Sequence, residues 1–186
     1  MNEFSIVCRI LGSLFYRAPQ DALLAPLFTA LQQGALQKNW PLAQDALLEQ
    51  LQKNYRPAEL EQDYKALFIG AECGVSPWRS DYDKDYQEAD VRTFLQLRGM
   101  PLPATPADHF GGLLLAASWL EDQAQPDETA AQIALFDDFI LPWSDRFLGQ
   151  VESHAKSAFY RTLAALSREA LEAMREDLAE SESGAE

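Results

Sequence analysis

Histidine and cysteine most often support metal binding or acid–base catalysis, and this sequence contains two of each. His109 and His154 lie far apart in the chain, and Cys8 and Cys73 do not form a Cys-x-x-Cys pair. The sequence also lacks a glycine-rich phosphate loop and a Gly-x-Ser-x-Gly turn for a nucleophilic serine. We therefore predict no metal, no cofactor and no enzymatic activity.

The pair Asp108-His109 is the one combination whose residue types could support acid–base chemistry, because a neighbouring carboxylate raises the pKa of a histidine and orients its ring. Consecutive helix residues point about 100° apart, so on a helix these two side chains would not face each other. Thr105, Pro106 and Asp108 also match a helix start, with Thr105 as the N-cap and the carboxylate near the positive helix end. A helix start, a binding site and catalysis stay open as alternative roles.

The second candidate is the sequence Pro-Trp-Arg-Ser-Asp-Tyr at positions 77–82. Rigid aromatic rings on a proline-containing loop form recognition surfaces at a small entropic cost. In this interpretation Trp78 and Tyr82 supply apolar contact, while Pro77 and Ser80 shape the loop. Alternatively, Trp78 only attaches the loop to the core, since aromatic side chains are common in both settings.

Composition and periodicity indicate that helices position these residues. Leu and Ala each occur 27 times, whereas the β-branched residues Val, Ile and Thr together occur 14 times. Apolar residues recur every three or four positions in segments bounded by proline or glycine, which predicts helices. The predicted helical segments are 4–15, 23–31, one starting at Pro41, 57–68, 91–95, 110–120, 127–140, 143–151 and 157–178. We predict an all-α fold, a single-domain helical bundle over residues 1–178, followed by a flexible acidic tail at 179–186.

Two stretches depart from ordinary amphipathic helices. Between residues 69 and 86 the periodicity fails and Gly, Pro and Asp accumulate, which predicts a long loop that serves as a site or a hinge. The segment 110–120 is apolar on every face, which predicts the central buried helix. Gly111 and Gly112 each cost roughly 1 kcal/mol in a helix interior, so they indicate that another backbone or a ligand approaches closely.

The charge of the chain limits its partners. With 29 acidic and 15 basic residues the net charge is −14, which disfavours nucleic-acid binding because such binding depends on Lys and Arg. The stretch 99–145 contains eight acidic residues and no Lys or Arg, so its charge would attract a basic partner. Alternatively, these acids only form the solvated faces of helices. The longest apolar run is far below the roughly 20 residues that span a bilayer, and the N-terminal residues do not match a signal peptide. We expect a cytoplasmic protein without stable membrane insertion.

Taken together, these motifs resemble the TorD/DmsD/NarJ-like family of redox-enzyme maturation chaperones, and within it the YcdY-like branch. The similarity extends over nearly the whole chain. The matching segments are 64–70, 77–82, 106–111, 141–143, Phe147 and 159–160.

The resemblance implies an all-helical chaperone that binds the twin-arginine leader peptide or the apoenzyme form of an immature client and assists cofactor or metal insertion. It also implies that Asp108, His109 and the loop 77–82 border the client-binding groove and the hinge. Relatives that handle molybdenum enzymes often carry acids where this chain has Thr105 and Ala107. The client is therefore either a molybdenum-type oxidoreductase precursor or, as the YcdY-like branch implies, a zinc-dependent phosphatase of the PHP type that is not exported.

We thus predict a non-catalytic chaperone whose groove contacts an immature client protein. Trp78, Tyr82 and Phe110 are expected to make apolar contact, Asp108 to bind a cationic group and His109 to form a hydrogen bond. One rival hypothesis is a nucleotide hydrolase that uses Asp108 and His109, since nucleotide binding has been proposed in the family. We expect a monomer, with a domain-swapped dimer as the alternative. The corresponding rival hypothesis is an adaptor that dimerises by exchanging its two halves across the long loop.

Overall fold

The computed structural model describes residues 3–184, and in them the predicted all-α fold is confirmed. The only pairing of extended backbone in this part of the chain is an isolated antiparallel bridge between Trp78 and His109. The α-helices are α1 (Glu3–Tyr16), α2 (Ala25–Gln32), α3 (Ala35–Asn39), α4 (Asp45–Lys53), α5 (Pro57–Phe68), α6 (Glu88–Leu97), α7 (Phe110–Gln123), α8 (Glu128–Ala134), α9 (Leu141–His154) and α10 (Ala158–Ser183). A π-helical segment, Leu135–Ile140, joins α8 to α9.

Helix α7 is the central buried helix that its uniform apolarity predicts. Its side chains face neighbours on several sides. Among the described helices, the pair α1 and α7 has the most extensive contact. Phe110, at its first turn, is fully buried and meets the rings of Phe15 and Phe147 at centroid distances of 5.1 Å and 4.5 Å. The start of α7 is therefore fixed within the aromatic core of the protein.

The close contact between α1 and α7 depends on two glycines. A Cβ atom added to Gly111 would lie 2.6 Å from the carbonyl oxygen of Gly12 and 2.7 Å from the amide nitrogen of Tyr16. A Cβ atom added to Gly12 would lie 2.8 Å from the carbonyl oxygen of Gly111. The predicted close approach is thus confirmed at Gly111, where the approaching group is the backbone of α1. It is wrong at Gly112, where an added Cβ atom would meet only ordinary contacts at 3.5 Å or more.

Two helices, α4 and α7, begin later in the structure than the sequence predicts. The segment after Pro41 is irregular until α4 begins at Asp45, and the short helix α3 has too few residues to show a periodic pattern. Helix α7 begins at Phe110, so the predicted start at Thr105 and Pro106 is wrong. Prolines favour an extended conformation in the residue before them, and the prolines at 101, 103 and 106 keep this segment out of a helix.

The C-terminal helix is longer than the sequence pattern indicates. Helix α10 continues to Ser183, so residues 179–183 of the predicted flexible tail are helical, and residues 185–186 of that tail lie outside the described residues. The apolar stripe ends near Leu178, but Ala and Glu have high helix propensity, and residues 158–183 contain no proline or glycine. Apolar periodicity predicts the buried part of a helix, whereas the helix propensity of the following residues decides how far the helix continues into solvent.

The tight approach of α1 and α7 predicts opposite effects for two neighbouring substitutions. Gly111→Ala should lower the free energy of unfolding by about 2–3 kcal/mol, because the new methyl group meets backbone atoms that cannot move independently. Gly112→Ala is the matched control, since a Cβ atom added there would lie 3.5 Å from the Cβ of His109 and 3.7 Å from the nearest ring carbon of Tyr16 on α1, both ordinary contacts. It should leave stability unchanged or raise it by up to about 1 kcal/mol. Urea unfolding of both variants measures the difference, and equal stabilities would contradict the packing argument.

Candidate client-binding site

The two motifs predicted separately from the sequence meet at the bridge between Trp78 and His109. The amide of Phe110 donates to the carbonyl oxygen of Pro77 at 2.9 Å, and the amide of Arg79 donates to the carbonyl oxygen of Asp108 at 3.2 Å. The loop between α5 and α6 is thereby attached to the start of α7. Trp78 and Asp108 therefore lie in neighbouring, paired segments of the chain.

Asp108 holds the loop to α7. Its side chain is completely buried, and Oδ2 accepts a hydrogen bond from the amide of Ser80 at 2.9 Å. Its other oxygen, Oδ1, has no hydrogen-bond partner among the described residues. The predicted role as part of the helix start is wrong, because His109 and not this carboxylate caps α7. Contact of Asp108 with a cationic client group stays a prediction, and the carboxylate is buried in the client-free protein.

His109, rather than Thr105, is the N-cap of α7. Its Nδ1 accepts hydrogen bonds from the amides of Gly111 at 3.0 Å and Gly112 at 3.4 Å, which places the ring proton on Nε2. The ring lies between Tyr16 and Trp78, each at a centroid distance of 5.0 Å and in an edge-to-face arrangement. Burial of the imidazole lowers its pKa to about 4, so it is neutral at physiological pH.

This geometry does not support the nucleotide hydrolase. The Asp108 carboxylate bonds to the loop, while the acceptor nitrogen of His109 bonds to the first turn of α7. The two side chains therefore do not share a proton, and a histidine with a lowered pKa that caps a helix has no free lone pair for general-base catalysis. The part of the chain that the structure describes also contains no cluster of three or more potential metal ligands.

Arg79, within the motif at 77–82, is a residue of the candidate site that the sequence alone did not single out. It is buried, and its guanidinium lies over the ring of Tyr86 at 4.1 Å. It donates to the carbonyl oxygen of Asp138, within the π-helical segment Leu135–Ile140, and to the carboxylate of Asp83. The π-helical turn offers this carbonyl to a side chain of the loop, so Arg79 ties the loop to the C-terminal half of the protein. Its place between the aromatic residues of the motif was the available signal.

An apolar cleft opens beside His109, with a volume of about 150 Å³. One wall comes from the helices and the N-cap: Tyr16, Leu95, His109, Gly112 and Leu115. The other wall comes from the connection between α6 and α7, residues 100–107, which we call the proline strap: Met100, Leu102, Pro103, Pro106 and Ala107. The strap residues were missed by the sequence reasoning, although three prolines in seven residues signalled a rigid, extended segment.

The remaining predicted site residues take different places. Pro77 is buried under the bridge, and Ser80 is exposed beside it. Tyr82 is half-buried, packs on Trp143 at a centroid distance of 5.4 Å and donates to the carbonyl oxygen of Ser76 at 2.7 Å. Phe110 has no exposed surface in the client-free protein, so its contact with a client stays a prediction that the burial of its ring does not favour. Of the predicted residues only His109 lines the cleft, and Trp78 packs against its ring.

Half of the eight acids in the stretch 99–145 are already paired with arginines. Four of them form ion pairs with arginines: Asp122 with Arg9, Asp127 with Arg98, Asp137 with Arg175 and Asp145 with Arg168. Asp108 is buried. The expected acidic surface for a basic partner is therefore much weaker than the sequence indicates. Asp85 lies in the loop between α5 and α6, and Asp90 lies in the first turn of α6. Both are exposed and form no ion pair within the described residues, so they are better candidates for contact with a basic partner.

The comparison with known proteins establishes the class. The chain belongs to the family described as the nitrate reductase delta subunit, whose model matches residues 33–149. It is therefore a system-specific chaperone for the maturation of redox enzymes and not itself an enzyme, as its resemblance to the TorD/DmsD/NarJ-like family implies. In residues 3–184 no helix combines the length and the apolar character that crossing a membrane requires.

Two groups of relatives place the chain within this class. It is 57% identical over 180 residues to the chaperone protein YcdY of Escherichia coli strain K12, covering 97% of this chain and 98% of that protein. It is 33% identical over 179 residues to the Tat proofreading chaperone DmsD of Salmonella typhimurium, covering 90% and 86%. The predicted similarity to the YcdY-like branch is confirmed.

The buried, neutral His109 predicts an acid-sensitive fold. Its pKa is about 4 in the folded protein against 6.5 in the unfolded chain, so between these values the unfolded chain binds the additional proton. Stability should therefore fall as the pH drops from 6.5 to 4, by at most about 3 kcal/mol from this residue. His109→Asn keeps an N-cap acceptor without a titrating ring and should flatten the slope of stability against pH.

His154 provides the control, because it is the other histidine of the chain and is exposed on α9. His154→Asn should leave the slope as it is in the original protein. Urea unfolding between pH 4 and 7 measures all three proteins. An unchanged slope in His109→Asn would show that His109 is not the group responsible.

Proposed function

We propose that the protein binds an apolar segment of an immature client enzyme in the cleft beside His109 and holds that client in the cytoplasm until its cofactor or metal has been inserted. The observation that carries this proposal is the cleft itself: an apolar depression bounded by α1, α7 and the proline strap, at the junction of the two motifs. A segment placed there would bury apolar surface on both sides.

The dimensions of the cleft fit a few side chains rather than a folded domain. About 150 Å³ accommodates one or two large apolar side chains, which suits the anchor positions of a short helix or an extended peptide. Such a limited contact gives moderate affinity, so the mature client can dissociate. Leader peptides combine a basic pair with an apolar run, and the apolar run is the part that matches this cleft.

The acidic residues of the loop region match the basic part. Asp85 and Asp90 are exposed, whereas Glu88 between them is bound to Arg92. Glu88 also contacts the strap at Ala107, so the segment that carries Asp85 and Asp90 is joined to the cleft wall through Glu88. Exposed carboxylates contribute mainly to the association rate and to orientation, so they would align a basic pair without dominating the affinity.

The predicted site residues then divide by role. His109 lines the cleft and Trp78 fixes its ring from the other side. Asp108, Pro77 and Phe110 position the loop and α7 from within the core. Ser80 and Tyr82 lie on the outer part of the loop, where they would contact a client that extends beyond the cleft.

A second candidate client is a zinc-dependent phosphatase of the PHP type that remains in the cytoplasm. The observation that favours it is the strap, where this chain carries Thr105 and Ala107 in place of the acids common in relatives that handle molybdenum enzymes. Ala107 lines the cleft and Thr105 is exposed, so the strap offers no carboxylate to a twin-arginine pair. The partner is a client protein in either case. An exchange of halves across the loop, giving a dimer, is a separate proposal that concentration-dependent sizing tests.

Leu102→Ser should weaken binding of a synthetic leader-type peptide, an Arg pair followed by an apolar run, by about tenfold, because it replaces an apolar cleft wall with a hydroxyl. Leu97→Ser is the matched control. Leu97 lies near the same connection but is 84% exposed and does not line the cleft. Isothermal titration calorimetry measures both affinities, and thermal unfolding confirms that each variant is folded.

Two further peptides separate the parts of the proposal. Replacing the apolar run with serines should abolish binding, whereas replacing the Arg pair with Gln should reduce the affinity only a few-fold. The phosphatase candidate is tested with the metal-free phosphatase and the same Leu102→Ser and Leu97→Ser variants. Equal affinities of the two variants for every client would refute the cleft as the binding site.

A further inference from the structure

We propose that Glu88 and Arg92 of α6 form a clasp that fixes the proline strap and so sets the width of the client cleft. This inference rests on the proposed function, because it concerns the same cleft. It makes these two residues positioning residues: neither lines the cleft, but both hold the wall that does.

Arg92 spans the strap with its guanidinium. Nη1 donates to the carbonyl oxygen of Pro103 at 3.2 Å, and Nη2 donates to the carbonyl oxygen of Thr105 at 2.7 Å. Its Nε donates to Oε1 of Glu88 at 3.0 Å. The planar fork of an arginine can serve two carbonyl groups and a carboxylate at once, which a lysine ammonium cannot do in the same plane.

Glu88 completes the clasp on the other side. Its Oε1 accepts a hydrogen bond from the amide of Ala107 at 2.7 Å. Partial burial would raise the pKa of this carboxyl, but the Ala107 amide and the Arg92 guanidinium outweigh that effect and lower it. Two residues one helical turn apart thus bind three points along the strap.

The strap has few other attachments. Pro101, Pro103 and Pro106 have no amide proton, and within residues 3–184 no backbone hydrogen bond joins residues 101–107 to any other backbone group. Leu102 and Ala107 pack against the core, whereas residues 103–106 are exposed. The hydrogen bonds of the clasp are therefore the directional constraint on this wall, and apolar packing alone would allow it to shift.

The strap supplies half of the residues that line the cleft, so its position decides the shape of the cleft. With the clasp closed, the wall is preorganised and a client pays no ordering cost for it. With the clasp broken, the strap samples other positions, and binding has to order it. The expected signature is weaker client binding without loss of global stability.

Arg92→Leu tests the inference directly. It keeps an apolar stem but removes the bonds to Pro103, Thr105 and Glu88. Amide exchange at Ala107, whose N–H donates to Glu88, should speed up at least about tenfold in the client-free protein, because Arg92 no longer holds Glu88 in place; hydrogen–deuterium exchange measures it. Affinity for the leader-type peptide should fall about fivefold to twentyfold, with an unchanged midpoint of thermal unfolding.

Three variants control for other effects. Arg98→Leu breaks an ion pair at the other end of α6, with Asp127, that does not touch the strap, and should change neither exchange nor affinity. Arg92→Lys keeps the charge but not the fork and should give intermediate values of both. Glu88→Gln retains an acceptor for the Ala107 amide and should therefore lose less than Arg92→Leu.

The outcomes distinguish this inference from the proposed function. Unchanged strap exchange in Arg92→Leu would refute the clasp, and faster exchange with unchanged peptide affinity would refute its control of the cleft. A parallel loss in Arg98→Leu would also overturn it, because the effect would then be a general property of α6. If the original protein binds no client peptide, the proposed function fails, while the exchange measurement still decides whether the clasp holds the strap.

Discussion

The antiparallel contact between the loop 77–80 and the residues that precede α7 is the interaction on which the rest of the site depends. Two backbone hydrogen bonds and the bond from the Ser80 amide to Asp108 join segments that are about thirty positions apart in sequence. Because Phe110 follows directly and is buried in the aromatic core, this contact has a rigid foundation. It orients His109 toward the cleft and leaves Trp78 against its outer face.

The burial that gives this junction its rigidity also explains its lack of chemistry. Asp108 has no exposed surface, and burial lowers the pKa of His109 so that the ring stays neutral and caps a helix. A pair that could titrate against a substrate would need access to solvent and a shared hydrogen bond, and this pair has neither. The same residue types therefore act here as structural supports beside the apolar cleft.

The cleft beside His109 has one rigid wall and one wall that only a few hydrogen bonds hold in place. The fixed wall is built on α1 and α7, whose backbones are in contact at Gly12 and Gly111. The opposite wall is the proline strap, which α6 holds through side-chain hydrogen bonds. A chaperone has to release its client, and under the proposed function a wall of this kind would give moderate affinity through the ordering of a short segment rather than through a large rigid interface.

The sequence by itself determined the helical class, the buried centre at 110–120 and the close approach at Gly111, because local periodicity and the steric demands of glycine are encoded in neighbouring residues. It also identified the two motifs that meet at the site. Only the tertiary structure decided that α7 begins at Phe110, that Asp108 serves the loop, that arginines neutralise much of the acidic stretch and that the proline strap forms a cleft wall. Each of these depends on contacts between distant segments, and a single sequence carries no local signal for which distant partner a polar side chain will find.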